Sequence, residues 1–420
     1  MSRTTEKSFR ALRRVLLFLL AFRVVSVKSL DAETLVIRAR KVYPVSRPPI
    51  EPGEVLVRDG KIVEVGAHLS HDTPGVRVVE VSGSIAPGLI DCGSDLGILG
   101  RSAEEWSELT PEIRVLDSLD LDHPGLARAL AAGVTCAAIS PGARNVIGGL
   151  GAVVRTSAAS GPAAVRVLAR DAFLDVSLSE EASLGNFNLR FSRPFTYTFR
   201  IPNTRMGTVF LARRAFFEAM DHPDTEKLPA MLSPTGKARL RESLLGQRSL
   251  RVHANHRQEI LAALRLAEEF KLRIQIVGGA ESTGLIPRLA AAHVAVLLDP
   301  GMTMPEEQPE SELQLSARLP ALLSEAGLEF AYASRDGDEV PLLRSRAALS
   351  LRHGISEDRM LEALTLGAAR VLGVQARVGS LESGKDADLV AFSGDPLDVT
   401  SSVLWTMTAG RIDQETEQEF

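Results

Sequence analysis

The chain has 420 residues, 45% of them hydrophobic and 24% charged, with a formal net charge of -5. That suits a globular protein with a substantial core, either one large domain with an accessory piece or two to three ordinary domains. The charges are interspersed in sign, which argues against a nucleic-acid partner, and two cysteines, Cys92 and Cys136, cannot make a disulfide framework.

The first thirty residues stand apart. Lys7, Arg10, Arg13 and Arg14 precede the apolar run Val15–Phe22, "VLLFLLAF". A basic stretch before a short apolar core fits a secretory signal better than a transmembrane helix, which needs about 20 apolar residues. Residues 1–30 are therefore expected to be a signal-like leader, with export to a bacterial periplasm or envelope; without that signal the chain would be cytoplasmic. From Leu35 to Val81 short β-rich runs alternate with turns, and Asp59-Gly60 between "EVLVR" and "KIVEVG" predicts a tight hairpin.

From about Ile85 to Gly373, alanine- and leucine-rich helical stretches run into short β-branched strands, as in "RQEILAALRLAEEFKLRIQIVGG" and "TGLIPRLAAAHVAVLLDPG". Repeated helix–strand units predict a parallel sheet, open or closed into a barrel. Strands return after Gly373 in "RVGSLESGKDADLVAFSG" and "VLWTMTAGRI". Strand-rich ends flanking one α/β unit predict that the two ends pair. The expected layout is a leader at 1–30, a composite β-sandwich from 31–84 and 374–413, a (β/α)₈ TIM-like barrel at 85–373, and a disordered acidic tail at 414–420. Ser179–Arg200 and Met302–Ser316 are less regular and read as barrel-top loops or mobile lids.

Several segments then match one family in order. "IAPGLIDCGSDLG" resembles the first barrel strand of the amidohydrolase superfamily, written PGLIDxHxH, and "VGSLESGKDADLVAFSGDPLD" resembles its C-terminal hairpin. "ELTPEIRVLDSLD", "ALAAGVTCAAISPGARNVIGGLGAVVRT", "NTRMG" and "RVHANHRQEILAALRLAEEFKLRIQIVGG" are similar to the imidazolonepropionase-like branch. The resemblance covers Leu35 to Ile412. It implies a hydrolase of non-peptide C–N bonds in small molecules, with one or two divalent metals such as zinc at the C-terminal ends of the barrel strands, lowering the pKa of a bound water.

The ligand positions do not follow that pattern. The paired first-strand histidines fall at Gly93 and Asp95; Cys92, one residue out of phase, is expected to face the helical layer. The family's bridging lysine has no counterpart, because no lysine occurs between Lys61 and Lys227, and Arg155 stays protonated. His253 in "LRVHANH" keeps the strand-five histidine, with His256 entering the next helix, whereas the strand-six histidine falls at Gly278. On strand eight the family aspartate aligns with Arg335, the favoured register, or with Asp336 one residue later. A one-residue slip turns a side chain to the other face, so the alternatives differ in kind.

Candidate catalytic residues are therefore Asp95, His253, Arg335 and Asp336, with no metal ligand set and no cofactor expected. If both face the axis, Asp95 and Arg335 would form an ion pair in place of the metal. Arg144 and Asn145 in the Gly-rich "PGARNVIGG" turn, together with Arg205 in "NTRMG", are candidate ligand-binding residues. The leading expectation is a catalytically impaired homologue whose pocket still takes a small molecule. The alternatives are a hydrolase with a mononuclear or metal-free site using His253, Asp95 and Asp336, and a structural component of an envelope assembly. Self-association into a homo-oligomer is compatible with each; a transmembrane helix is not expected.

Overall fold

The computed structural model describes residues 34–69, 76–157, 166–184, 186, 200–300 and 316–415. The expectations for the leader, for residues 187–199 and for residues 302–315 concern residues outside that set. The strands are β1 (Thr34–Val42), β2 (Gly53–Arg58), β3 (Lys61–Gly66), β4 (Arg77–Pro87), β5 (Leu89–Ser94), β6 (Val134–Ile139), β7 (Ile147–Arg155), β8 (Val167–Ser177), β9 (Ser249–Ala254), β10 (Ile274–Gly278), β11 (Ala295–Leu298), β12 (Phe330–Tyr332), β13 (Leu389–Phe392), β14 (Val403–Thr408) and β15 (Arg411–Glu415). The helices are α1 (Pro124–Ala131), α2 (Arg205–Ala219), α3 (Pro234–Leu244), α4 (Arg257–Phe270), α5 (Ile286–Ala291), α6 (Leu319–Glu325), α7 (Leu343–Ala348), α8 (Glu357–Leu364) and α9 (Leu366–Leu372).

Strands from both ends share one seven-stranded sheet, ordered β15-β14-β13-β4-β1-β2-β3. The hairpin joining β2 and β3 has positive φ at both Asp59 (53°) and Gly60 (74°), the geometry the Asp-Gly pair predicts. Its far strand reaches back to the other end of the sheet: Ile62 N donates to Lys385 O at 2.9 Å, and Gly384 N donates to Ile62 O at 2.8 Å. The fold-back encloses Leu35, Ile37, Val55, Ile62, Leu389 and Met407 in a core of their own. Strand β15 runs to Glu415, which pairs with Trp405; the rest of the expected tail, residues 416–420, lies outside the described residues.

The second sheet has eight strands in the order β12 to β5 and curls until its two edges meet. Arg335 N donates to Gly93 O at 2.8 Å and Asp95 N donates to Arg335 O at 3.2 Å, tying the last strand to the first. The result is a mixed α/β fold with a nearly closed eight-stranded barrel sheet. It differs from a regular (β/α)₈ array in one strand: β7 runs antiparallel to both β6 and β8. The reason is local, since Pro141 and Gly142 (φ 81°) turn the chain directly after β6, with no helical stretch before β7. A glycine also lets β7 pass: a Cβ on Gly151 would lie 2.1 Å from the Phe173 ring.

Outward residues of the barrel strands, such as Leu250, Val252 and Ile276, pack into the main core beneath the helices. Inward residues make a separate cluster of Ile90, Cys92, Cys136, Phe173, Val277 and Ala333, against which Ala368 and Leu372 of α9 also pack. Among the described residues no helix is long and apolar enough to cross a membrane.

Candidate functional site

Alternation along β9 decides what reaches the barrel interior. Leu250, Val252 and Ala254 face the helices, leaving Arg251 and His253 on the inner face. His253 Nε2 lies 3.3 Å from Asp175 Oδ1 on β8, and the other Asp175 oxygen accepts the hydroxyl of Ser140 at the end of β6. A carboxylate only accepts, so this hydrogen bond puts the imidazole proton on Nε2. Asp175 stands between serine and histidine. His253 therefore orients a carboxylate here and does not act on the serine, unlike a Ser-His-Asp relay.

Arg251 is 1% exposed and sits lower in the barrel. Its guanidinium carbon lies 3.4 Å from the centroid of the Phe173 ring, and Nε donates to Gln275 Oε1 at 3.4 Å. Its Nη2 is buried with no hydrogen-bond partner among the described residues. Burial pushes this guanidinium below its ordinary pKa and Asp175 pulls it back up; an arginine nonetheless keeps its charge in a protein. Above it opens a cavity of about 210 Å³, lined by Asp95, Arg144, Asp175, Arg251, His253 and Arg335 among others.

Four of the residues expected from sequence thus meet at one cavity: Asp95, Arg144, His253 and Arg335. Asp95 and Arg335 nevertheless do not form the expected pair. Asp95 Oδ1 accepts the Gly337 N–H at 2.8 Å, while Arg335 pairs with Glu181 and lies 3.9 Å from Asp299 Oδ2. Arg335 holds a left-handed backbone, φ 62°, where the chain turns off β12. Burial raises the Asp95 carboxyl above the usual aspartate range. Asp336 is exposed and caps its own turn by accepting Asp338 N at 2.9 Å, so it is not part of the cavity.

Arg144 lines the cavity but braces a loop, donating to Glu181 O at 2.8 Å and Asn186 Oδ1 at 2.8 Å. Asn145 is 2% exposed and lies in a buried anchor, donating to Thr110 Oγ1 at 2.9 Å and accepting from Arg200 at 2.7 Å. Arg205 pairs with Glu180 and Glu259 at the start of α2, away from the cavity wall. His256 caps α4 and lies 3.2 Å from Glu281. Cys92 corrects the sequence reading: it packs in the interior cluster and lines the cavity. The pairing of β5 with β6 shifts register between Asp91 and Ser94, a bulge that lets neighbouring residues share a face.

Asp175 and Arg251 were not among the expected residues. Their signal was present: a single carboxylate inside the apolar strand "FLDVSL", and an arginine two residues before His253, hence on the same face.

A divalent ion fits these residues poorly. Gly93 offers no donor, and a Cβ there would lie 3.5 Å from Arg251 Nη1, so a fixed positive charge borders the first-strand position. At Gly278 (φ 95°) a Cβ would fall 2.0 Å from Asn255 Oδ1, leaving no room for a side chain. The Nε2 of His253 carries a proton towards Asp175. Among the described residues no three His, Cys, Asp or Glu side chains converge to hold a metal.

Comparison with known proteins agrees with this architecture. The family model described as "Amidohydrolase family" matches residues 252–412. A solved amidohydrolase from Thermotoga maritima superposes with a TM-score of 0.79 at 27% identity, covering 91% of this chain and all of that one. The A. niger ochratoxinase shares the fold alone, with a TM-score of 0.55 at 16% identity over 92% of this chain and 96% of its own. The curated amidohydrolase tasK of Hapsidospora irregularis is 23% identical over 83% of this chain, which spans only 38% of that protein's length. Residues 252–412 thus match the amidohydrolase family, and the chain as a whole shares its fold with a solved amidohydrolase.

Proposed function

We propose that this protein is a member of the imidazolonepropionase-like branch in which the barrel mouth serves to bind a small molecule, with the family's metal-assisted hydrolysis of C–N bonds lost. The observation that carries this reading is the buried guanidinium of Arg251 beside Gly93. An ion with two positive charges placed among the same residues would meet that fixed charge with at most one imidazole to hold it, where zinc takes about three protein donors. Residues 31–84 and 374–413 are read as one composite unit carrying the barrel of 85–373, and the basic leader as an export signal. Self-association is compatible with the reading.

The test is metal retention by the full chain. After incubation with zinc and desalting, elemental analysis is expected to find far less than one equivalent, and added zinc is expected to leave the unfolding midpoint unchanged. A bound ion at a hundredfold excess over Kd would instead stabilise the fold by about 2.7 kcal/mol. One equivalent of zinc, lost in His253→Ala, would overturn the proposal.

A second reading has a specific observation behind it. The buried contact of His253 with Asp175 is how a general base is oriented, so a mononuclear or metal-free hydrolase could run on His253 and Asp95. Asp336, the third residue of that alternative, is turned away. Hydrolysis of a C–N bond by metal-stripped protein, abolished in His253→Ala, would favour it.

A further inference from the structure

We infer that the cavity floor is an anion site, and that it takes a small organic carboxylate on Arg251. This rests on the reading of the barrel mouth as a binding pocket and names the chemistry of what it binds.

An unpaired buried charge is costly, and a buried donor left without an acceptor costs about 1–3 kcal/mol. Arg251 has the second feature: the residue is 1% exposed and its Nη2 meets no acceptor among the described residues. The carboxylate best placed to neutralise it is already engaged, with one Asp175 oxygen on Ser140 and the other on His253. Glu181, also on the cavity wall, pairs with Arg335.

The geometry narrows the ligand further. The guanidinium face lies on Phe173 and its Nε edge on Gln275. What remains is Nη1, beside the side-chain-less Gly93 on the cavity wall, since Nη2 is buried. An Nη1 N–H donated to a carboxylate oxygen is a charge-assisted hydrogen bond, stronger than one to a neutral acceptor. Ala143 and Val277 on the same cavity supply apolar wall for a short tail. A cavity of about 210 Å³ suits a short-chain acid rather than a lipid or a peptide.

The experiment titrates the full chain at constant ionic strength with sodium butyrate, its neutral isostere butyramide, and inorganic phosphate, read by calorimetry and by the unfolding midpoint. Butyrate is expected to bind and to raise the midpoint, with butyramide and phosphate at least about tenfold weaker, since one charge-assisted pair is worth more than 1.4 kcal/mol. In Arg251→Met, butyrate affinity is expected to fall about tenfold or more, with partial recovery in Arg251→Lys. Equal response to butyrate and butyramide, tighter binding of phosphate, or undiminished butyrate binding in Arg251→Met would each overturn the inference. If Arg251→Met does not fold, the acid–amide comparison on the unaltered chain still decides. No butyrate binding by protein that also holds no zinc removes the carboxylate assignment alone; an equivalent of zinc removes the pocket reading beneath it.

Discussion

Asp95 is the clearest case of a site residue whose environment works against its charge. Burial raises its carboxyl above the ordinary aspartate range, and the hydrogen bond from Gly337 N–H offsets that only in part. In the native state it therefore holds its proton to higher pH than in the unfolded chain, where aspartate titrates near ~3.9. Between those two values the native state binds more protons, so stability falls as pH rises through the window. Asp95→Asn keeps the acceptor for Gly337 and removes the titration. Urea melts across the acid range are expected to show a shallower decline for the variant. An unchanged pH profile would mean that Asp95 is not buried as described. Sequence alone placed Asp95, His253, Arg144 and Arg335 at one mouth, because strand parity and family order locate side chains on faces. It could not reveal that Arg335 turns to Glu181 and Asp299, since those partners come from other loops.

At the level of elements, strand β7 sets the interior. It threads antiparallel between β6 and β8, and Gly151 passes so close to Phe173 that a methyl group has no space. Phe173 is also the surface on which Arg251 rests. Gly151→Ala is expected to destabilise the fold by about 1–3 kcal/mol, the range for overpacking, and to weaken butyrate binding by displacing that platform. A loss within 0.5 kcal/mol would show that β7 has slack. The helix–strand alternation of the middle segment was readable from period alone. The reversal of β7 was not, because a fully buried strand shows the same unbroken apolar run in either direction. The β5 bulge escaped for a related reason: a one-residue register shift leaves no mark on composition, yet it turned Cys92 inward.

Across the whole molecule, the two sheets are joined by a buried charge cluster. Arg155 at the end of β7 pairs with Asp386, and its Nε donates to Asp388 Oδ2 at 2.8 Å, both aspartates lying just before β13. Asp388 is buried and also accepts the Ala409 N–H. Removing one member of such a pair leaves an uncompensated charge, so Arg155→Met is expected to cost about 3–5 kcal/mol in chemical unfolding. Adding Asp388→Asn is expected to restore part of that loss; no restoration would place the penalty in packing instead. The pairing of the chain's two ends was legible because strand-rich segments flank the α/β middle. The role of "KDAD" as the fastening between sheets was not, since its arginine lies more than two hundred residues earlier. The same positive residue type, at Arg251, fills the barrel where relatives are expected to carry an ion, and that substitution is the centre of the account. Zinc-soaked crystals of the full chain, mapped by anomalous scattering at the zinc edge, test it most directly. No peak is predicted within ~2.3 Å of His253, Asp175 or Asp95, with the Arg251 guanidinium still lying on Phe173. A zinc ion bonded there to three or more side chains would contradict it.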